Sequence, residues 1–341
     1  MLSEQSAGLF HKAILFSGFA LTPWAFNVDP LTPALIDANK ISVARTEEEI
    51  YNVFATASAQ ELLTATRDAA YNSRYFKYSP CVDSHLPDPF FRDTPYEIIK
   101  SGLFNKVPVL MGVTNREGIM FYGINNRTSF AEWDADFKVR LPAVFSCSKA
   151  DRDRIGQKMR AYYFEKQPIT ENAVQSGVNF YTDWLDHATY DAVSQILAYY
   201  GEEPVFKYVF SYDGSRNFAK MLFGQAAAGV NGASHSDDLF YLFKAFGLPI
   251  PLTRGDELFI DRYTTMLANF IKYSNPTPRT TKLLSVSWPA STGNASYIMH
   301  LDSRLKVTSG PFKKDNFFLN LLCQYGLKGF VPCESAQDCS P

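Results

Sequence analysis

Residues Val107 to Gly118 read V-P-V-L-M-G-V-T-N-R-E-G. The apolar, Val-rich run from Val107 to Val113 is too short for a buried helix and predicts a strand covered on both faces. Thr114 to Glu117 then leave that strand as a polar loop. Open α/β sheets place their ligands at the C-terminal ends of strands, so Glu117 stands where function is expected. Working outward, Lys12 to Gly18 carries a second uninterrupted apolar run, Ala13 to Phe16, ending at Ser17-Gly18, and Pro204 to Tyr212 is a third strand, rich in Val, Phe and Tyr. Between them lie helical stretches. Capping boxes at Thr46-Glu47-Glu48-Glu49 and Ser58-Ala59-Gln60-Glu61 start two helices between Arg45 and Asn72. Thr94-Pro95 opens another that stops at Ser101-Gly102, and a long helical block runs from about Ser148 to Gly201, interrupted at Gln167-Pro168. Strand, helices, strand is the order of α/β architecture.

The rest of the chain fits one continuous domain. Tyr75 to Phe91, rich in Pro and aromatics, reads as an ordered loop, and Ala226 to Ser236 as a glycine-rich one. Ser236-Asp237-Asp238 is expected to cap an apolar helix, L-F-Y-L-F-K-A-F, that stops at Gly247-Leu248-Pro249, and a further helix spans about Gly255 to Tyr273. The domain is expected to cover residues 1–320, with 321–341 as an irregular tail. The 341 residues are 46% hydrophobic, enough for a substantial core. Lys and Arg number 33 against 35 Asp and Glu, without a run of like charge, so nothing favours a nucleic-acid partner. Apolar stretches fall far short of the roughly 20 residues a membrane span needs. The five cysteines lack metal-site spacing, and no metal or cofactor is implied. Asn126-Arg-Thr and Asn294-Ala-Ser are sequons that would accept glycans in a secreted protein.

Two residues carry the chemistry. Glu117 is either a solvated loop carboxylate paired with Arg116 or a functional acid at a strand end. His235 is the one histidine of five set in a glycine-rich loop, flanked by Ser234 and Ser236 with two aspartates following. It either supports a helix cap or serves as a mobile base. Together they are more specific, because a carboxylate after one strand and a histidine after a later one is the acid-then-base order of α/β-hydrolases.

Three ordered segments carry a resemblance: G-L-F-H-K-A-I-L-F-S-G followed by P-W-A-F, the strand and loop V-P-V-L-M-G-V-T-N-R-E-G, and G-A-S-H-S-D-D-L-F-Y-L-F. The chain resembles the type-B carboxylesterase/cholinesterase family, most closely its insect carboxylesterases, from the first residues to about His300. The resemblance implies an α/β-hydrolase fold lacking the N-terminal part of its sheet. It also implies a serine esterase of the Ser-Glu-His kind acting on small carboxylic esters, with Glu117 as triad acid and His235 as base. Ser17 is then the hydroxyl supporting the acid, and Trp24 lines the acyl pocket.

The sequence contains no Gly-x-Ser-x-Gly; Gly232-Ala233-Ser234 fails at Ser236. Nor is there a His-Gly-Gly-Gly run for an oxyanion hole. The expectation is that Met1 is an internal methionine of a longer esterase and that this chain is inactive alone. Its exposed strand edge would then need a partner carrying the other part of the fold. A cholinesterase-like adhesion protein and a ligand-binding pseudoenzyme are the competing readings.

Overall fold

The computed structural model describes residues 1–66, 78–145, 148–227, 229–244, 250–310 and 316–334. Five strands form one sheet in sequential order: β1 (Ala13–Phe16), β2 (Val109–Thr114), β3 (Val205–Phe210), β4 (Ser296–Leu301) and β5 (Lys306–Gly310). The first four are parallel, and β5 returns antiparallel to β4. Consecutive parallel strands joined through helices put those helices on the sheet faces.

Side-chain alternation along each strand builds the two layers. Ile14 and Phe16 of β1, Leu110 of β2 and Phe206, Tyr208 and Phe210 of β3 point to one face, where they pack with Phe259, Tyr263, Met266 and Phe270 of the helix Arg254–Tyr273. Leu15, Val109, Met111, Val113 and Val205 point to the other, against the helices Pro95–Lys100 and Ala188–Gly201. Every residue of β2 is buried, as its apolar run requires, whereas all four of β1 are half-buried, since β1 has a strand on one side only among the described residues.

A third cluster lies beyond the sheet. Tyr122, Trp133, Phe164, Phe180 and Phe318 pack helices Gly118–Gly123, Arg127–Ala135, Lys149–Phe164, Val174–Thr182 and Phe317–Tyr325 together. The last of these crosses the expected boundary at 320/321. Leu321, Leu322 and Tyr325 are buried and Cys323 is disulfide-bonded to Cys333, so residues 321–334 pack into the body; 335–341 lie outside the described residues.

The capping box at Thr46 forms as read, with Thr46 and Glu49 bonded reciprocally at the start of Glu47–Thr56. The expected helix after Ser236 does not. Asp237–Tyr241 is a single 3-10 turn, and Ser236 has φ +68° and makes no side-chain cap. The predicted stop at 247–249 lies outside the described residues, as do 67–72 of the second early helix and 75–77 of the expected loop.

Candidate active site

β1, β2 and β3 all end on the same side, and the polar residues that follow them converge. At the end of β1, Ser17 donates its backbone N–H to Gly112 O, extending the ladder one step, and takes φ +45°, an unusual conformation for a residue with a Cβ. That twist directs Oγ to Glu117 Oε1 at 2.7 Å. At the end of β2, Asn115 donates its N–H to Phe210 O, and Glu117 enters the short helix Gly118–Gly123. A Cβ on Gly118 would lie 2.2 Å from Val178 O, so glycine lets this helix start pack tightly against Val174–Thr182.

The loop that presents His235 is fastened to the same strand end. Arg116 N–H donates to Ala233 O, and Ala233 N–H donates to Asn115 Oδ1 at 2.9 Å. Gly232, at φ +115°, brings its backbone so close that a Cβ would meet Asn115 Oδ1 at 2.6 Å. Ser234 Oγ accepts the Met120 N–H. Asp237 accepts the backbone N–H groups of Ser234, Ala219 and Lys220, pinning the far side of the loop. Of the two aspartates read as a helix cap, Asp237 is thus a loop anchor. Asp238 instead accepts from Tyr208 Oη at 3.0 Å.

These supports bring together two residues 118 positions apart: His235 Nδ1 lies 2.7 Å from Glu117 Oε2. Glu117 is fully buried and not paired with Arg116, whose guanidinium donates to Asn179 Oδ1. Its other oxygen accepts from Ser17 Oγ and, at 2.6 Å, from Thr114 N–H. Burial opposes ionisation of Glu117, but the hydrogen bond and charge of His235, with the Ser17 bond, outweigh it and hold the carboxyl below its ordinary range. Burial likewise opposes protonation of His235. The bond and charge of Glu117, assisted by Asp186 and Asp238, raise the imidazole to about 9. Phe121 meets the ring edge-on, with centroids 5.5 Å apart, and the imidazole keeps 22% of its surface open. Nε2 has no hydrogen-bond partner among the described residues, so the ring is held at one nitrogen and free at the other.

Sequence reading missed two neighbours. Residues Asp183–His187 form a π-helical turn between Val174–Thr182 and Ala188–Gly201. Such turns shift the helix register by one residue and often occur at functional sites. Here His187 Nε2 meets Thr114 O at 2.7 Å, while Asp186 comes within 4.8 Å of both Glu117 and His235. Asp186 is fully buried with neither oxygen hydrogen-bonded, and burial, reinforced by the Glu117 charge, raises its carboxyl well above the usual range. Glu117, Asp186 and His235 form the one grouping among the described residues that could ligate a metal ion.

Trp24, expected to line an acyl pocket, is half-buried, packs over Gly18 and donates Nε1 to Leu185 O at 3.0 Å, joining the β1 loop to the π-helical turn. A depression of about 590 Å³ lined by Lys158, Tyr162, Phe317 and Gln324 includes none of these residues.

A mostly parallel sheet with a carboxylate after one strand and a histidine after the next defines the α/β-hydrolase class. The carboxylesterase family model matches residues 1–318, and the chain belongs to that family. It is 28% identical over 246 residues to a carboxylic ester hydrolase of Bombus ignitus, covering 70% of this chain and 44% of that protein. It is 27% identical over 304 residues to a juvenile hormone esterase of Tribolium castaneum, covering 82% and 51% respectively. The chain thus spans about half the length of the curated relatives it matches. The crystal structure of juvenile hormone esterase from Manduca sexta, with OTFP covalently attached, superposes with a TM-score of 0.73 at 23% identity, covering 94% of this chain and 60% of that one.

Proposed function

We propose that Glu117 and His235 are the acid and base of a Ser-Glu-His carboxylic ester hydrolase acting on small esters. The observation that carries this reading is the 2.7 Å contact between His235 Nδ1 and a fully buried Glu117 at neighbouring strand ends. In the neutral ring Glu117 fixes the tautomer with the proton on Nδ1, which leaves Nε2 to take the proton of an attacking hydroxyl; the rise of the imidazole to about 9 expresses the same stabilisation of the imidazolium that forms. Ser17 and the Thr114 N–H hold the carboxylate in the orientation that serves the ring. Trp24 borders the acyl side of the site.

The nucleophile is not in this sequence, which contains no Gly-x-Ser-x-Gly. It comes, in this reading, from a segment of the same fold, in cis or in trans, that pairs along the open edge of β1. Residues 1–334 form one part of a single hydrolase domain, inactive until that segment is supplied. Loss of the serine alone removes about a millionfold of turnover in a serine hydrolase of another fold.

The test is p-nitrophenyl acetate hydrolysis and fluorophosphonate labelling of the purified chain, alone and co-expressed with the N-terminal half of a matched esterase. Neither signal should appear alone, and both should appear on complementation and disappear with His235→Ala. Hydrolysis by the chain alone that survives His235→Ala would sink the proposal. Ester binding without turnover even after complementation would favour a ligand-binding pseudoenzyme.

A further inference from the structure

We infer that Asn126 and Asn294 are N-glycosylation sites and that this chain matures in an oxidising compartment where lipid-linked oligosaccharide is transferred. The sequence offers three Asn-x-Ser/Thr triplets, Asn126-Arg-Thr, Asn275-Pro-Thr and Asn294-Ala-Ser, and proline at the middle position disqualifies the second. The other two asparagines are both exposed.

The hydrogen bonds distinguish the two ends of each amide. Asn126 caps the helix Arg127–Ala135 through Oδ1, which accepts the Ser129 N–H at 3.0 Å. Its Nδ2, the atom a glycan would occupy, has no partner among the described residues. Glycosylation keeps the carbonyl and replaces one N–H, so the cap survives modification. Asn294 lies at the tip of a tight turn closed by Thr292 N–H to Ala295 O at 2.9 Å, and its side chain makes no hydrogen bond among the described residues. Both glycans would project into solvent.

The order of events differs at the two sites. Thr128, the hydroxyl of the first sequon, is exposed. Ser296, the hydroxyl of the second, is buried at the start of β4, where Oγ accepts from Lys207 Nζ. A transferase that must reach this hydroxyl acts at Asn294 before β4 pairs with β3. The disulfide Cys323–Cys333, with Cα atoms 5.3 Å apart, is an independent sign of the same environment, because such bonds persist where thiols are oxidised. In the transfer, Asn Nδ2 forms a bond to the anomeric carbon, the bond from that carbon to the lipid pyrophosphate oxygen breaks, and the pyrophosphate leaves with the electron pair. The proton lost from Nδ2 balances the released pyrophosphate.

The test directs the full chain through the secretory pathway of insect cells behind a cleavable leader, then releases N-glycans enzymatically in heavy-oxygen water and maps labelled aspartate by mass spectrometry. Label is expected at positions 126 and 294 and not at Asn275. Asn126→Asp keeps a capping acceptor and Thr128→Ala keeps the asparagine, so each should cost one glycan while the chain stays folded. Asn294→Asp should cost the other. Unlabelled, intact asparagine at either position in the secreted chain overturns the assignment of that site, and an unmodified chain overturns the inference as a whole.

Discussion

Two buried carboxyl groups lie close to the same imidazole, one from the loop after β2 and one from the π-helical turn Asp183–His187. Glu117 meets three donors, from Ser17, Thr114 and His235; Asp186 meets none. Equal burial therefore has opposite results. The donors compensate desolvation at Glu117 and hold its carboxyl below the ordinary range, while at Asp186 burial and the Glu117 charge outweigh the attraction of His235 and raise the carboxyl well above it. What separates them is the count of N–H and O–H groups aimed at each, not the acid itself.

The largest break in this contrast is Glu117→Gln. It leaves Ser17, Thr114 and His235 facing an uncharged amide and should cost about 3–5 kcal/mol by urea unfolding. In the same variant, NMR titration of His235 should show its pKa falling from about 9 toward its ordinary 6.5, since the Glu117 bond and charge are lost and only the smaller contributions of Asp186 and Asp238 oppose burial. An imidazole that still titrates near 9 would mean that Glu117 is not its counter-charge.

Stability against pH tests both carboxyls at once. The His235 contribution is complete below pH 6.5 and lost as pH rises through about 9, because its folded pKa is raised. Glu117, whose folded pKa is depressed, contributes above about its ordinary 4.5 and loses that contribution as pH falls through the folded value. Asp186 acts the other way from Glu117: its contribution is present below 3.8 and diminishes as pH rises above it. The pair should thus contribute most between about pH 4.5 and 6.5, and His235→Ala should flatten the alkaline fall in a melting-temperature profile.

Ser17→Ala removes one donor from the buried anion and should cost about 1–3 kcal/mol. Its Cβ remains at φ +45°, so the loss reports the hydroxyl and not the backbone. The smallest effect is expected for Asp186→Asn, an isosteric exchange, within about 1 kcal/mol at neutral pH and with the His235 pKa lowered less than by Glu117→Gln, because Asp186 contributes less than Glu117 to raising it. A downward shift of the imidazole as large as that in Glu117→Gln would erase the contrast between the two carboxyls.

Much of this site was readable before folding. Glu117 follows an apolar run whose buried strand is visible in Val109 to Val113, and His235 sits in a loop whose glycines announce close backbone approach. Asp186 was not readable. Within a long helical block an aspartate looks like any solvent-facing charge, and the π-helical turn that rotates it inward leaves no periodicity to detect. The Ser236-Asp237-Asp238 triplet misled for a related reason: cap residues and loop anchors share the same short polar side chains. Only the Ala219, Lys220 and Ser234 amides waiting across the loop make Asp237 an anchor. The packing of 321–334 was missed because its burial depends on remote partners, such as Gly329 O accepting from Tyr96 N–H.

Local pattern alone determined the three leading parallel strands, the acid-before-base order and the family resemblance, because each is written in contiguous residues whose period or spacing survives without neighbours. Tertiary structure decided which carboxyl is shifted down and which up, which imidazole nitrogen stays free and where Asp186 points. Those properties depend on donors and low-dielectric surroundings assembled from segments up to 118 residues apart, and no local stretch of sequence contains them.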